Sequence, residues 1–356
     1  MSAGRPVRVL IVDDSALVRR VLTEALAGQD GIEVAGAAGD AQQARELIKR
    51  LDPDVITLDV EMPAMDGLTF LRNLMRLRPT PVVMVSSLTA HGADATLDAL
   101  EIGAVDYLPK PKLGANAMLG EYAATLADRI RAAAKARIHP WRGADPAAPA
   151  AIAGTRAASG TAPTSRAMRR VIAIGASTGG TEAIKRVLAA LPADSPGIVI
   201  AQHIPGAFSA AFARRLDASC ALRVREATDG QPLLQGHALV APGDRHLVLE
   251  REGARYVCRL GDGPAVNRHK PSIDVLFNSV ACAAGRHASG ALLTGMGKDG
   301  ARGLRAMLDA GAATIAQDEA TSVVWGMPGE AVAIGAAADV LPLGAIAARL
   351  RELQHA

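Results

Sequence analysis

The feature that most constrains this chain is an interruption. From His139 to Ala167 it reads HPWRGADPAAPAAIAGTRAASGTAPTSRA, a run of Ala, Pro, Gly, Ser and Thr with no hydrophobic period. Such a segment has too few large apolar side chains to offset the entropy of ordering its backbone, so it is predicted to be a linker of mixed stiffness. At 356 residues the chain is too long for one ordinary core, and two domains are expected. The boundaries read as a first domain over 1–125, a helix end and flexible linker over 126–168, and a second domain over 169–356. Trp141 stands out within the linker; it is read as resting on a neighbouring surface, with an anchor between domains or to a partner as the alternative.

On both sides of the linker, short aliphatic runs alternate with amphipathic stretches, the pattern of βα units in a parallel sheet. Strands are predicted at Arg8–Val12, Ile32–Ala37, Val55–Leu58, Pro81–Val85 and Ala104–Leu108, with helices starting near Ala16, Ala41, Gly67, Ala93 and Asn116. After the linker come strand Val171–Gly175, helix Gly180–Leu191, strand Ile198–Ala201 and a helix from about Phe208. Short strands and Gly/Pro turns over Leu222–Leu260 are read as hairpins at one edge. Regular alternation resumes at Ser272. The fold class is therefore α/β: a flavodoxin-like doubly wound domain, then a second doubly wound, mainly parallel domain with edge hairpins. Aromatic residues are only 3% of the chain, so aliphatic side chains must build both cores.

The balance of charges narrows the function classes. A net charge of +3 without a dense Lys/Arg block gives no sign of a nucleic-acid groove. Cys220, Cys258 and Cys282 form no CxxC pair and are expected to be reduced thiols. No apolar run approaches the roughly 20 residues needed to span a bilayer, and Asp13 and Asp14 come too early for a signal peptide. A cytoplasmic protein with no membrane insertion is expected.

In a parallel sheet, functional groups gather at the carboxyl ends of the strands. In the first domain Asp13 and Asp14 end the first strand, Asp59 the third and Ser86 the fourth, and Lys110 follows the fifth. Three clustered carboxylates repel one another unless a divalent cation joins them, and Mg²⁺ is the hard, oxygen-seeking choice. Asp59 can then attack phosphorus while the Lys110 ammonium neutralises the transferring oxygens. Ser86 would hydrogen-bond the product. Tyr107 is a candidate reporter side chain, with an ordinary partly exposed aromatic as the alternative. Asp13, Asp14 and Asp59 are thus the predicted metal site, Asp59 the phosphorylation site, and Ser86, Lys110 and Tyr107 the predicted switch.

The second domain opens with the strand RVIAIG running into ASTGGTEAI. Such a glycine-rich turn at a helix N-terminus suits an anion or nucleotide, and equally a serine on a tight turn beside oxyanion donors. Against a nucleotide, no P-loop lysine follows the glycines and no ribose-binding acid follows a second strand. For a serine nucleophile, a base and an acid stand at comparable strand ends: His203 after GIVIAQ and Asp299 after ALLT. Ser177, His203 and Asp299 would form a triad in a Ser…His…Asp order, acceptable because triads are defined by geometry. The amides around Gly295, Met296 and Gly297 could supply oxyanion donors. His237, His246, His269 and His287 are weaker catalytic candidates, His269 being the one placed to line a substrate groove. No cluster has zinc-ligand spacing, and no cofactor is expected in this domain. A non-enzymatic, phosphorylation-dependent adaptor is the remaining alternative.

The segments LIVDDSALVRR, ITLDVEMPAMDGL, VMVSS and DYLPKP closely resemble two-component response-regulator receivers, over roughly residues 6 to 125. The segments IGASTGG, QHIP, APGDRHL, KPSIDVLF, LLTGMGKDGARGL and QDEATSVVWGMPGEA resemble the chemotaxis protein-glutamate methylesterases (CheB type). The resemblance implies a sensor histidine kinase as phosphodonor, Mg²⁺ at the receiver, and methyl-accepting chemoreceptors as substrate. It implies hydrolysis of glutamyl methyl esters, deamidation of receptor glutamines, and gating by phosphorylation. It also implies Ser177 as nucleophile, His203 as base then acid, Asp299 as orienting carboxylate, the Met296 amide as oxyanion donor, and Thr178 beside the nucleophile. Gly206 and Gly329 depart from the family pattern, which has proline and a basic residue there.

Overall fold

In the computed structural model, residues 5–62, 65–87, 90–111, 116–138 and 170–355 are described. The chain divides into two units, Met1–Gly143 and Ala144–Ala356. Most of the predicted linker, with Trp141, lies outside the described residues.

The first unit alternates β1 (Val7–Val12), α1 (Ala16–Ala27), β2 (Ile32–Ala38), α2 (Ala41–Leu51), β3 (Val55–Leu58), α3 (Gly67–Leu77), β4 (Val82–Ser86), α4 (Ala90–Ile102), β5 (Asp106–Pro109) and α5 (Asn116–Ala134). All four strand pairings are parallel, in the order β2-β1-β3-β4-β5. VITL of β3 and VVMVS of β4 are buried at every position, because helices cover both faces of such a sheet. Helix starts are set locally: Ser15, Asp40 and Asp66 each accept a backbone N–H of the first turn, satisfying donors that a helix leaves unpaired. The fifth strand begins two residues later than its sequence pattern suggests. Ala104 and Val105 are buried but precede the paired segment, so apolar content alone misplaced the edge.

The chain order reverses between β1 and β3, and that switch point is where ligand crevices open in doubly wound sheets. Asp13 and Asp14 follow β1 and Asp59 follows β3, at this crevice. Gly67 packs so closely beneath it that a Cβ would stand 2.1 Å from the Asp59 carbonyl oxygen. Only glycine lets α3 begin there.

The second unit contains β6 (Val171–Ala176), α6 (Gly180–Ala189), β7 (Gly197–Gln202), α7 (Gly206–Ser219), β8 (Arg223–Glu226), β9 (Gln231–Pro232), β10 (His237–Val240), β11 (His246–Glu252), β12 (Arg255–Gly261), α8 (Ile273–Ala284), β13 (Ala288–Leu292), α9 (Ala301–Asp309), β14 (Ala313–Gln317), α10 (Met327–Ala333), β15 (Asp339–Leu341) and α11 (Leu343–His355). Seven strands pair in parallel in the order β15-β14-β13-β6-β7-β10-β8. The segment read as edge hairpins divides its strands. β8 and β10 extend the main sheet in parallel, while β9, β11 and β12 form a separate antiparallel sheet. Leu247, Leu249 and Cys258 of that small sheet share one buried cluster with Leu276 and Phe277 of α8. Burying each such large side chain contributes roughly 1.5–3 kcal/mol. Here the switch point lies between β6 and β13, so the loops after these strands meet. Among the described residues, no helix is long and apolar enough to cross a membrane.

Candidate active sites

In the first unit the structure brings Asp13, Asp14, Asp59 and Lys110 together. One carboxylate oxygen from each aspartate lies within 4.8 Å of the others. Asp13 and Asp59 are 1% exposed, while Asp14 faces solvent. Lys110 Nζ stands 2.8 Å from Asp59 Oδ2 and 3.1 Å from Asp13 Oδ2. Burial pushes the Asp59 carboxyl up to about 6, Lys110 pulling the other way and the Asp13 charge adding to the rise. Asp13 is raised for the same first reason, against the pull of Lys110. Lys110 loses by burial, but the two carboxylates hold its ammonium above the ordinary value. Asp59 Oδ1 is buried without a hydrogen-bond donor.

The predicted switch residues are distributed around this centre. Ser86 is buried at the end of β4; its carbonyl accepts the Lys110 N–H at 2.9 Å, and its hydroxyl is directed to the Ser87 carbonyl at 3.4 Å. Tyr107 is 4% exposed, more enclosed than a partly exposed aromatic, and the Arg129 guanidinium lies 5.7 Å from its ring centre. Arg129 also pairs with Asp106 and with the Tyr107 carbonyl.

In the second unit Ser177, His203 and Asp299 lie in one line. His203 Nδ1 is 3.1 Å from Ser177 Oγ, and His203 Nε2 is 2.9 Å from Asp299 Oδ2. An ionised carboxylate only accepts, so the imidazole proton sits on Nε2 and Nδ1 presents its lone pair to the serine. The ring nitrogens are thus used in the opposite sense to the familiar serine-protease arrangement. The His203 and Asp299 side chains are 5% and 1% exposed.

Asp299 is surrounded by donors. Its Oδ1 accepts from Asn267 Nδ2 at 2.7 Å and Ser272 Oγ at 2.8 Å, and its Oδ2 from the Ile273 N–H at 2.7 Å. Burial would raise this carboxyl, but His203, Asn267 and the Ile273 amide outweigh it and hold Asp299 well below the usual carboxylate range. It remains an anion whenever the protein is folded near neutrality.

The nucleophile loop is held from several sides. The Ser177 N–H donates to the Thr294 carbonyl at 3.0 Å, and its own carbonyl accepts from the Gly180 N–H at 2.7 Å and Gln202 Nε2 at 2.9 Å. Gly179 turns the chain into α6 with φ 74°, and a Cβ there would lie 2.6 Å from Val323; both demand glycine. A Cβ on Gly295 would stand 2.7 Å from the Ser177 Cβ, so the loop after β13 runs directly beside the nucleophile. Met296 is next in that loop, and its N–H donates to no group among the described residues. Thr178 is buried, and its carbonyl accepts from Thr294 Oγ1 at 3.0 Å.

Several residues at this site were not singled out from the sequence. Gln202 ends the apolar run GIVIAQ and is buried there; a polar side chain at a buried strand end is itself a signal. Ser272, where the sequence pattern starts a helix, caps α8 by accepting the Val275 N–H; its bond to Asp299 carried no local signal. Asn267 and Asp274 carried no local signal. His269, the histidine expected to line a substrate groove, lies flat on the His203 ring, with centroids 3.6 Å apart and planes 8° apart. Gly329, where the family pattern has a basic residue, lies under the Trp325 indole; a Cβ there would be 3.1 Å from the ring. Gly206 begins α7 directly after Pro205.

Comparison with known proteins places the chain in a family. The sequence model described as CheB methylesterase matches residues 172–350, and that of the response regulator receiver domain matches residues 9–119. A protein-glutamate methylesterase/protein-glutamine glutaminase of Xanthomonas euvesicatoria is 58% identical over 99% of both chains. The chain belongs to the CheB methylesterase family. A relative of the same description from Anaeromyxobacter dehalogenans is 55% identical over 99% of this chain and 98% of its own. The crystal structure of the Thermotoga maritima CheB methylesterase catalytic domain superposes with a TM-score of 0.51 at 36% identity, covering 52% of this chain and 98% of that one.

A receiver domain implies a magnesium ion, and the first site fits one. Its three converging carboxylates offer only oxygen ligands, and the partnerless Asp59 Oδ1 is the kind of buried atom a hard divalent cation satisfies.

Proposed function

We propose that this chain is a phosphorylation-activated protein-glutamate methylesterase. It hydrolyses glutamyl methyl esters on methyl-accepting chemoreceptors, releasing methanol, and deamidates receptor glutamines. The observation that carries the reading is the Ser177–His203–Asp299 line, at 3.1 and 2.9 Å, in a chain 58% identical end to end to a protein of that name.

In this reading Ser177 Oγ attacks the ester carbonyl carbon while His203 Nδ1 takes its proton. The Met296 N–H, and amides near Thr178, receive the oxyanion. The tetrahedral adduct collapses, the C–O bond to the methoxy group breaks, and His203 returns the proton to methanol. Water, deprotonated by His203, then attacks the acyl-serine and releases the glutamate carboxylate and Ser177. With glutamine the leaving group is ammonia, a poorer one that depends more on protonation by His203. Asp299 keeps the Nε2 proton in place and stabilises the imidazolium.

The first unit acts as the switch. Asp59 attacks the phosphorus of a sensor histidine kinase's phosphohistidine; an O–P bond forms and the N–P bond to imidazole breaks. Asp13, Asp14 and Asp59 would hold Mg²⁺, which when bound neutralises charge on the phosphoryl oxygens. Lys110 adds a second positive charge, and Ser86 and Tyr107 respond to the new phosphoryl group. Phosphorylation then shifts a two-state equilibrium that sets esterase turnover. The two activities reside in domains over 1–125 and 169–356, joined by a helix end and flexible linker over 126–168, in a cytoplasmic protein.

The test is methanol release from methyl-labelled receptor membranes, with and without acetyl phosphate and Mg²⁺. Release stimulated by the phosphodonor, and lost in Ser177→Ala, is the expected result. Unchanged release by Ser177→Ala would refute the triad.

A further inference from the structure

Two buried carboxylates lie side by side behind His203, and one amide group holds both. Asp299 is 1% exposed and Asp274 6%. Asn267 Nδ2 donates to Asp299 Oδ1 at 2.7 Å and to Asp274 Oδ2 at 2.8 Å. Both protons of the amide nitrogen are therefore committed, and the chemistry of the partners fixes which way the amide faces. Asp274 is itself anchored, its Oδ1 accepting the Gly303 N–H at 2.7 Å from the first turn of α9.

The backbone around Asn267 is specialised for this contact. Val266 and His269 exchange N–H···O bonds of 3.1 and 2.9 Å, closing a two-residue turn whose central residues, Asn267 and Arg268, have φ of 52° and 68°. A turn with two left-handed residues favours asparagine first, because its short polar side chain tolerates that conformation. The residue that closes the turn is His269, whose ring covers His203. One turn thus touches the acid and the base of the same triad.

We propose that Asn267 is a positioning residue of the esterase triad: it fixes the rotation of the Asp299 carboxylate so that Oδ2 faces His203 Nε2, and it draws part of the Asp299 charge away from the imidazole toward the Asp274 side. The proposal rests on the methylesterase reading. Ionisable groups packed against Asp299 and His203 are Asp274 from α8 and His269 from the turn, while His246 from β11 reaches Asp299 only through Ser272. The His246 ring accepts the N–H of Ser272, whose hydroxyl donates to Asp299. Without the Asn267 donor, the Asp299 charge is concentrated on the histidine side and favours the imidazolium, so the nucleophile loses its base at a higher pH.

The experiment uses the full chain and two substitutions. Asn267→Gly keeps the left-handed turn and removes the amide; Asn267→Asp keeps the shape and replaces the donor with an anion. The rate at which a fluorophosphonate reagent labels Ser177 is followed against pH, beside methanol release and a melting curve. Asn267→Asp is expected to move the acid limb of the labelling profile upward by about one pH unit, roughly tenfold in rate on that limb. Asn267→Gly should move it the same way by less, with kcat for methanol release about 10–100-fold down and KM unchanged. Profiles that superimpose on the wild type overturn the proposal. So does a uniform loss in Asn267→Gly with the limb in place, which marks a structural role only. If Asn267→Asp fails to fold, Asn267→Gly decides on these same criteria. A wild-type profile with no acid limb at all would instead count against the triad.

Discussion

Asp59 and Asp299 are both buried carboxylates at the switch points of parallel sheets, yet the two units treat them in opposite ways. Asp59 shares its crevice with the Asp13 charge, keeps one oxygen without a donor, and is pushed up to about 6 by burial. Asp299 is met by the Asn267 amide, the Ser272 hydroxyl, the Ile273 N–H and His203, and is held low. A carboxylate that is to receive a cation and a phosphoryl group needs free lone pairs. One that is to orient a histidine needs every lone pair committed, so that it neither rotates nor takes a proton.

The largest test of this contrast uses each centre as the other's control. Ser177→Ala should reduce methanol release about 10⁴- to 10⁶-fold while labelled acetyl phosphate still modifies Asp59. Removing Mg²⁺ with EDTA should abolish that modification and, with no phosphodonor present, leave fluorophosphonate labelling of Ser177 unchanged. Cross-effects of comparable size would mean that the two centres are not chemically separate. Next in size, Asp299→Asn should lower kcat about 10⁴-fold, because an amide has one accepting oxygen and its NH₂ must face either His203 Nε2 or the donors of Asn267 and Ser272.

Smaller in rate, Gly179→Ala should cost about 10–100-fold in kcat. A side chain at φ 74° against Val323 displaces the loop that carries Ser177. The smallest effect is on stability, and its sign divides the two sites. The folded Asp59 carboxyl is raised above its unfolded value, so the folded state loses stability as pH rises from about 4 to about 6. In Mg²⁺-free buffer at neutral pH, Asp59→Asn should therefore stabilise the first unit, by about 1–3 kcal/mol. The Asp299 carboxyl is depressed, so its contribution is present above the ordinary carboxylate range and lost only in stronger acid. Asp299→Asn should destabilise the second unit by about 1–3 kcal/mol. Melting curves of both variants in the same buffer decide; equal signs would dissolve the comparison.

How much was legible in sequence follows the range of each interaction. The strands β1, β3, β4, β6 and β7 are short aliphatic runs buried on both faces, so their pattern is local and their carboxyl ends could be read directly. That was enough to bring Asp13, Asp14, Asp59 and Lys110 to one edge and Ser177, His203 and Asp299 to another. The segment from Leu222 to Leu260 was less legible. β8 and β10 have the same short, mixed composition as the hairpin strands, and which sheet a strand joins depends on partners far along the chain.

The chain by itself determined the order of its elements, its glycine-dependent turns and the residue types at its strand ends, because backbone conformation and hydrophobic period act over a few residues. Only the tertiary structure decided how each carboxylate is solvated. Asn267 and Asp274 reach Asp299 from 32 and 25 positions away in sequence, and His269 stacks on His203 across a different loop. Hydrogen bonds act over about 3 Å in space, so their partners become visible only when folding brings distant segments together.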